Sequence, residues 1–423
     1  MSAAVISTPG TTASAAPRRP SALWLAFLAA PIATGANAPV LILPDMARSL
    51  GVSTTAATWT VTVFAWAMTV GTPLFAALVR RRGLRAALLA GAVLALVGTA
   101  LVASAQSLPF ALLGRAAQGA GGAGLVAVAM NLAGSTRRMG AITAGFGVLG
   151  AVGPLVGSTL ADAVDWRASL ALSALALLAV PAVRRHTATA APDRAARSPR
   201  AARSGYAPQG PHAVPFDAVG AGLVVAVVSA LVLLPTAPLA GALAAAVASV
   251  PLVLHVRRRP DGFVPAAVLR SRAFLGSALL ACAFSTSYFV LLFALPELVR
   301  QRTGWSTEVI GAGQLAALLT GSALSWLLAA TAARLGHRRA LTLLVTLGAA
   351  APVTAALAPW GPALLVAAAA AVFVATGSNA VLSVHVARHA STDRRPAAIG
   401  LFVLFYQLGG ALGPALAALL VLA

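Results

Sequence analysis

Charge is scarce in this chain and negative charge is nearly missing: only nine of 423 residues are Asp or Glu. Lysine is absent, so all 30 basic residues are arginine. Charged residues make up 9% of the chain and hydrophobic ones 59%, against ~25% charged in an ordinary soluble domain. A solvated globular domain is therefore excluded. The single cysteine, Cys282, sits in an apolar run, so it forms no internal disulfide and proposes no metal site. No phosphate-cradling glycine loop, metal-ligand spacing or Ser/His/Asp set on one side of a membrane is present. His385 and His389, four residues apart, read as an interfacial helix end or as a metal pair. An enzyme is not expected, and no cofactor is implied.

What is present is apolar length. Runs of ~20 residues, each long enough to cross a bilayer, recur along the whole chain. The ten-residue alternation of a membrane barrel does not. The expected fold is an all-α polytopic membrane protein with 13 spans, near 23–43, 57–79, 86–105, 109–134, 139–161, 168–183, 217–234, 237–255, 273–295, 308–333, 340–357, 361–384 and 396–421. Residues 1–21, rich in Ser, Thr, Ala and Pro, read as a disordered tail. Residues 184–215 carry six arginines among prolines and glycines and read as a basic linker. The chain thus divides into a six-span bundle at 22–183, the linker, two extra spans in 216–256, an interfacial segment at 257–272 and a five-span bundle at 273–423. The first run follows Arg18-Arg19 and contains Ala36-Asn37-Ala38, as a cleavable leader would. Its counterpart deep in the chain argues for a retained span.

A net charge of +21 would suit a nucleic-acid binder, so its distribution decides. Arg48, Arg167, Arg300 and Arg302 fall in one set of alternate loops and Arg115 lies in an apolar run; the other 25 arginines fall in the opposite set. That is the positive-inside pattern. It excludes a nucleic-acid partner, requires a bilayer, and places the N-terminus in the cytoplasm and the C-terminus outside a cytoplasmic membrane.

The punctuation repeats. Leu41-Ile42-Leu43-Pro44-Asp45 answers Phe293-Ala294-Leu295-Pro296-Glu297, each ending the first helix of its half. The turn Arg80-Arg81-Arg82-Gly83 answers Arg334-Leu335-Gly336-His337-Arg338-Arg339, and Gly153-Pro154 answers Gly413-Pro414. Offsets of 252–260 imply duplicated half-bundles, with a substrate site between them at mid-depth. The second half is one span short, which leaves one face open to lipid or a partner subunit in a monomer or weak oligomer.

Arg115 is the one arginine that no loop or helix end accommodates. A guanidinium in hydrocarbon costs ~2.5–3.5 kcal/mol on insertion scales and is tolerated facing a polar interior. It reads either as a cation on a transport path or as a structural arginine bonded to neighbouring carbonyls. Gln118 shares its helical face, and Gly119, Gly121, Gly122 and Gly124 permit close helix approach. Other polar residues inside apolar runs are Thr34, Asn37, Thr62, Asn131, Ser285, Ser287, Tyr288, Gln314, Asn379, Tyr406 and Gln407. Singly, each reads as helix–helix glue. As a set with Arg115 and Gln118 they suggest a mostly apolar cavity with scattered hydrogen-bonding groups and one cation, suited to a bulky amphipathic or weakly anionic solute rather than a sugar or a strongly cationic drug.

Arg115-Ala116-Ala117-Gln118-Gly119-Ala120-Gly121 resembles the fourth-helix arginine motif of the major facilitator superfamily, and Gly147 through Gly157 resembles its fifth-helix antiporter motif. Gly147, Gly150, Gly153 and Gly157 fall on one helical face, with Pro154 beside them. Trp166-Arg167, Trp59, Phe216-Asp217 and the segment Phe263-Val264-Pro265 resemble the fourteen-helix drug:proton antiporters. The resemblance runs from about residue 22 to the end. It implies two half-bundles of six and five helices, alternating access, efflux of drugs or natural products, and proton coupling. The departures are specific. Arg80 stands where the loop motif has an acid, Gly35 where the subfamily has an acid in its first helix, Ala76 and Leu84 replace a glycine and an arginine, and the fourteenth helix is missing. All nine acids, Asp45, Asp162, Asp165, Asp193, Asp217, Asp261, Glu297, Glu308 and Asp393, fall outside mid-membrane. Asp45 and Glu297, at equivalent outer ends, remain as proton sites. The rival readings are an uncoupled facilitator and a degenerate relative acting as sensor or scaffold.

Overall fold

Prolines, glycines and arginine loops mark where this chain turns, and the apolar runs between them close into helices. The computed structural model describes residues 20–133, 136–187, 217–391 and 394–421. The expected tail up to residue 19, the linker from residue 188, Asp193 and Asp393 lie outside the described residues.

α1 (Ala22–Asn37) starts at Ser21, whose hydroxyl accepts from the Trp24 amide, a side-chain cap for an otherwise orphaned donor. It ends in a 3-10 turn, Ala38–Leu41. Pro44 then lies in the first turn of a separate short helix, α2 (Leu43–Leu50), where its missing N–H costs nothing. Pro44 and Asp45 therefore open a helix rather than end the first one, as the sequence suggested. Their counterpart Pro296 stays inside the continuous α11 (Arg272–Thr303), so the repeat is not carried into this detail.

α3 (Thr54–Ala103) is broken at Gly83, whose φ of 80° and ψ of 173° leave the helical region; only glycine takes that conformation without strain. The break makes two spans, Thr54–Val79 and Arg81–Ala103. α4 (Leu108–Ala133) and α5 (Thr136–Ala163) follow. The sixth span is irregular: α6 (Trp166–Ala171), a 3-10 stretch Leu172–Ala179, then α7 (Val180–Thr187). The tighter stretch lies where Ser173 presses on Gly35, a site with no room for a side chain. α8 (Ala218–Leu233) and α9 (Pro238–Arg258) form a hairpin, and the short α10 (Ala266–Leu269) occupies the expected interfacial segment. α12 (Thr307–Leu335), α13 (His337–Leu357), α14 (Gly361–His389) and α15 (Arg395–Leu420) complete the described chain.

Twelve of these helical stretches are long and apolar enough to cross a membrane. The thirteenth expected span is α8, with 16 residues. At 1.5 Å per residue it covers roughly 24 Å, just short of the hydrocarbon layer.

The duplication is visible in the packing. Gly83 and Gly336 share a φ of 80° at equivalent turns. α1 packs along α5, and α11 along α15. Gly153 of α5 meets Thr34 and Asn37 of α1, while Gly413 of α15 meets Phe289 of α11. Asn37 and Phe289 are 252 residues apart, the offset of the proline pair.

The halves meet along two seams, α3 with α15 and α5 with α12. α8 packs on both members of the first seam, and the Trp66 Nε1–H donates to the Ser229 hydroxyl at 2.9 Å. On the side away from the arginine turns, one apolar cluster joins Val40 and Met46 of the first half to Leu292 and Phe293 of the second. On the arginine side, Leu28, Leu88 and Ile142 form a cluster of the first half alone, and Phe284, Leu344 and Val381 one of the second.

Candidate functional site

Arg115 is held entirely within the first half. It is 0% exposed. Its Nε donates to the Thr60 carbonyl at 3.1 Å, one terminal nitrogen to the Gly35 carbonyl at 3.1 Å, and the other to Gln118 Oε1 at 3.0 Å. The guanidinium also lies 4.2 Å from the centre of the Phe64 ring, a favourable cation–π placement. Gln118 passes the network on, donating to the Thr99 hydroxyl and the Leu170 carbonyl, both at 3.2 Å. One cation thereby ties α1, both spans of α3, α4 and α6. Its partners are carbonyls, an amide and a ring, all within the first half. Gly35 explains itself here. A Cβ at that position would lie 2.6 Å from the Ser173 Cβ, so an acid does not fit, and the backbone carbonyl takes the guanidinium instead.

A second polar set lies between the halves. Asn37, at the end of α1, donates to the Gly150 carbonyl at 2.9 Å, and its side chain also meets the Tyr288 hydroxyl of α11. Tyr288 neighbours Tyr406 of α15 and packs against Phe289 with ring centres 4.7 Å apart. One residue on, Gln407 Oε1 accepts from the Thr72 hydroxyl of α3 at 3.2 Å. The surroundings are apolar: Tyr288 packs on the cluster shared by both halves, and Tyr406 on one that includes Val70 and Phe402. Thr72 carried no signal in the sequence, because a threonine in an apolar helix usually bonds its own preceding turn, as Thr72 also does with Met68. Only the pairing across 335 residues singles it out.

The other expected residues scatter. Gln314 is buried between α12 and α11, its Nε2 donating to the Leu292 carbonyl at 2.8 Å and its Oε1 left without a partner. Ser285 is buried and its hydroxyl also lacks a partner; it lies where Gly409 of α15 meets α11. Thr34 donates to the Leu149 carbonyl at 3.0 Å, and Thr62 is buried in α3. Asn131 is exposed and bonds its own turn at Ala127. Asn379 and Ser287 are half-buried on α14 and α11. The α5 glycines do what close packing requires. Cβ atoms on Gly153 and Gly157 would come within 3.0 Å of the Thr34 carbonyl and 2.6 Å of the Ala38 carbonyl, and Gly150 abuts Asn37 and Ala33. Gly147 instead faces Ser322 of α12, across the second seam.

The acids stand at helix ends. Asp45 pairs with Arg48, and Glu297 with Arg300 and Gln301. Among the described acids Asp217 is the buried one, 7% exposed at its side chain. It caps α8 through the Gly220 amide at 2.8 Å, accepts from the Phe263 amide at 2.9 Å and meets His255 Nε2 at 2.7 Å. Burial pushes its pKa up, but these two amides and His255 outweigh that and hold it below the usual carboxylate value. His337 stacks on His385 with ring centres 4.0 Å apart, and His389 lies tilted against His385 at 4.2 Å. No group of three His, Cys, Asp or Glu among the described residues is arranged to hold a metal.

The chain is 32% identical over 152 residues to MFS transporter L2 of a Phoma species, a match covering 34% of this chain and 25% of that protein. It is also 32% identical over 168 residues to the uncharacterized MFS-type transporter Rv1877 of Mycobacterium tuberculosis, covering 36% of this chain and 24% of the relative. The matched region thus spans about a quarter of each curated relative. The family model described as Major Facilitator Superfamily matches residues 23–414. With two glycine-packed half-bundles and that match along nearly its whole described length, the chain belongs to the Major Facilitator Superfamily.

Proposed function

We propose that the protein is a secondary transporter that exports small amphipathic molecules by rocking its two half-bundles about a site between them. The polar set Asn37, Tyr288, Tyr406, Gln407 and Thr72 carries this reading. It draws residues from both halves to the seam, in a wall that is otherwise aliphatic and aromatic. A few hydrogen-bonding groups in an apolar lining orient a ligand whose bulk is hydrophobic. Arg115 and Gln118 act behind this set, fixing α1 against α3 and α4. The relatives' names support transport without naming a cargo.

The test is export of a fluorescent amphipathic dye from cells or reconstituted vesicles. Tyr288→Phe and Tyr406→Phe remove one hydroxyl each and leave the rings. Each should raise the dye concentration for half-maximal rate by roughly 3- to 10-fold, the scale of one neutral hydrogen bond. Dye handling equal to that of cells lacking the protein would refute the transport reading, and the rival role of sensor or scaffold would stand.

Proton coupling belongs to the same proposal, with Asp45 or Glu297 as carrier. Uncoupled movement down a gradient is the second reading. It is favoured by the position of both acids at helix ends, each paired with an arginine three residues on, and away from the polar set between the halves.

A further inference from the structure

A cavity of about 240 Å³ opens on the arginine side of the second half. Its walls come from α10, the start of α11, the end of α14 and the start of α15. The floor is apolar, with Val268, Phe274 and Val386 all buried. The rim is polar and basic, with Ser271, His389 and Arg394. Arg270, Arg272, Arg388 and Arg395 stand immediately beside it in the chain. The volume is below the ~300 Å³ at which drug-sized pockets begin, so the cavity suits one headgroup rather than a transported molecule.

We propose that this cavity binds the phosphate headgroup of an anionic membrane phospholipid. The phosphate sits at Arg394, with His389 and the Ser271 hydroxyl at its edge, and the glycerol and first methylenes lie on Val268, Phe274 and Val386. A free phosphate uses the same rim but gains nothing from that floor. The position suits a lipid as well, because the cavity lies where three membrane helices and the short α10 reach the arginine side, and basic pockets between helices at that level take anionic headgroups. Arg394 is engaged in the resting structure, one terminal nitrogen lying 3.0 Å from Asp261 Oδ1. That pair is largely exposed, at 39% and 73% of the two side chains, and exposed pairs are weak. Asp261 is therefore a placeholder that a phosphate displaces. The inference is independent of what the protein transports.

The experiment uses the full chain in detergent, stripped of lipid, read by native mass spectrometry and thermal unfolding. Phosphatidylglycerol should bind and raise the melting temperature; phosphatidylcholine and millimolar inorganic phosphate should not. Two variants should move in opposite directions. Arg394→Gln should weaken phosphatidylglycerol binding by roughly tenfold, the scale of one charge-assisted contact, and Asp261→Asn should tighten it by removing the competing carboxylate. A merely structural ion pair predicts that both variants move together, and that result overturns the proposal. So does equal binding of phosphatidylcholine, which would mean no charge selection, or inorganic phosphate matching the lipid, which would mean a free-anion site.

Discussion

Arg115 gives the sharpest perturbation, because a packing role and a role on the transport path predict different outcomes for the same variant. Its three hydrogen bonds and the Phe64 contact all lie inside the first half. Hydrogen bonds to a charged group contribute ~1.5–3 kcal/mol each in soluble proteins, and bonds between membrane helices average ~0.6 kcal/mol. Three of them bracket ~2–9 kcal/mol. Against this stands the desolvation of a guanidinium with no carboxylate beside it, several kcal/mol that the wild type bears and an apolar variant does not. Arg115→Ala also opens a cavity and leaves Gln118 Oε1 without a donor. We expect a net loss of ~3 kcal/mol, seen as a melting temperature lower by several degrees in detergent, with the protein still inserted and transport abolished. Arg115→Lys should be no better: it keeps the buried charge but cannot spread donors to three acceptors in different directions. Thermal unfolding and vesicle transport are measured on the same preparations. If Arg115→Ala melts like wild type while losing transport, the tie between α1, α3 and α4 is not what Arg115 supplies, and a role on the path is restored.

Gly153→Leu should abolish transport and lower thermal stability, because a side chain there enters the Thr34 carbonyl at 3.0 Å; wild-type melting and transport would refute close α1–α5 packing as the motif's purpose. In vesicles with an imposed pH gradient, Asp45→Asn with Glu297→Gln should abolish uphill accumulation, and uphill transport that survives places the proton site elsewhere. Asp217→Asn should destabilise the α8–α9 hairpin at neutral pH. The Asp217 pKa is lowered in the folded chain, so the stability it adds is full above the unfolded value of 3.8 and is lost as pH falls through the lower folded value. The melting gap between wild type and variant should therefore close only in strong acid, and a gap that closes near neutral pH contradicts the assignment.

What the sequence made legible was what length and punctuation encode. Every expected span has a helical counterpart, because an apolar run in a bilayer has no other way to satisfy its backbone. The repeat was legible because glycine and proline are demanded by backbone geometry, as at Gly83 and Gly336. The partners of Arg115 were not legible: they are the backbone carbonyls of Thr60 and Gly35, which no side chain advertises. The break after Asn37 was hidden as well. Pro44 marks a helix start and a helix end equally well in a string of letters, and the 3-10 turn before it decides which. Gln407 was visible as a polar residue in an apolar run, but Thr72 became visible only through it.

The two seams between the halves are unequal, and that constrains how they can move. α1 with α5, and α11 with α15, are glycine-packed pairs, which the proposed rocking would move as units. The hairpin of α8 and α9 is fastened through Asp217 to the Phe263 amide, and the same segment reaches α15 through Asp261 and Arg394. Through α8 the hairpin packs on α3 of the first half and on α15 of the second. It touches the first half at Trp66 through Ser229. Rocking of one half against the other would have to break or slide the Trp66–Ser229 bond between α3 and α8, the Thr72–Gln407 bond between α3 and α15, and the Asn37–Tyr288 contact between α1 and α11. At the α5–α12 seam Gly147 faces Ser322 in van der Waals contact. One side-chain hydrogen bond ties α3 to α8 and another ties α3 to α15, so the α3–α15 seam is the expected hinge.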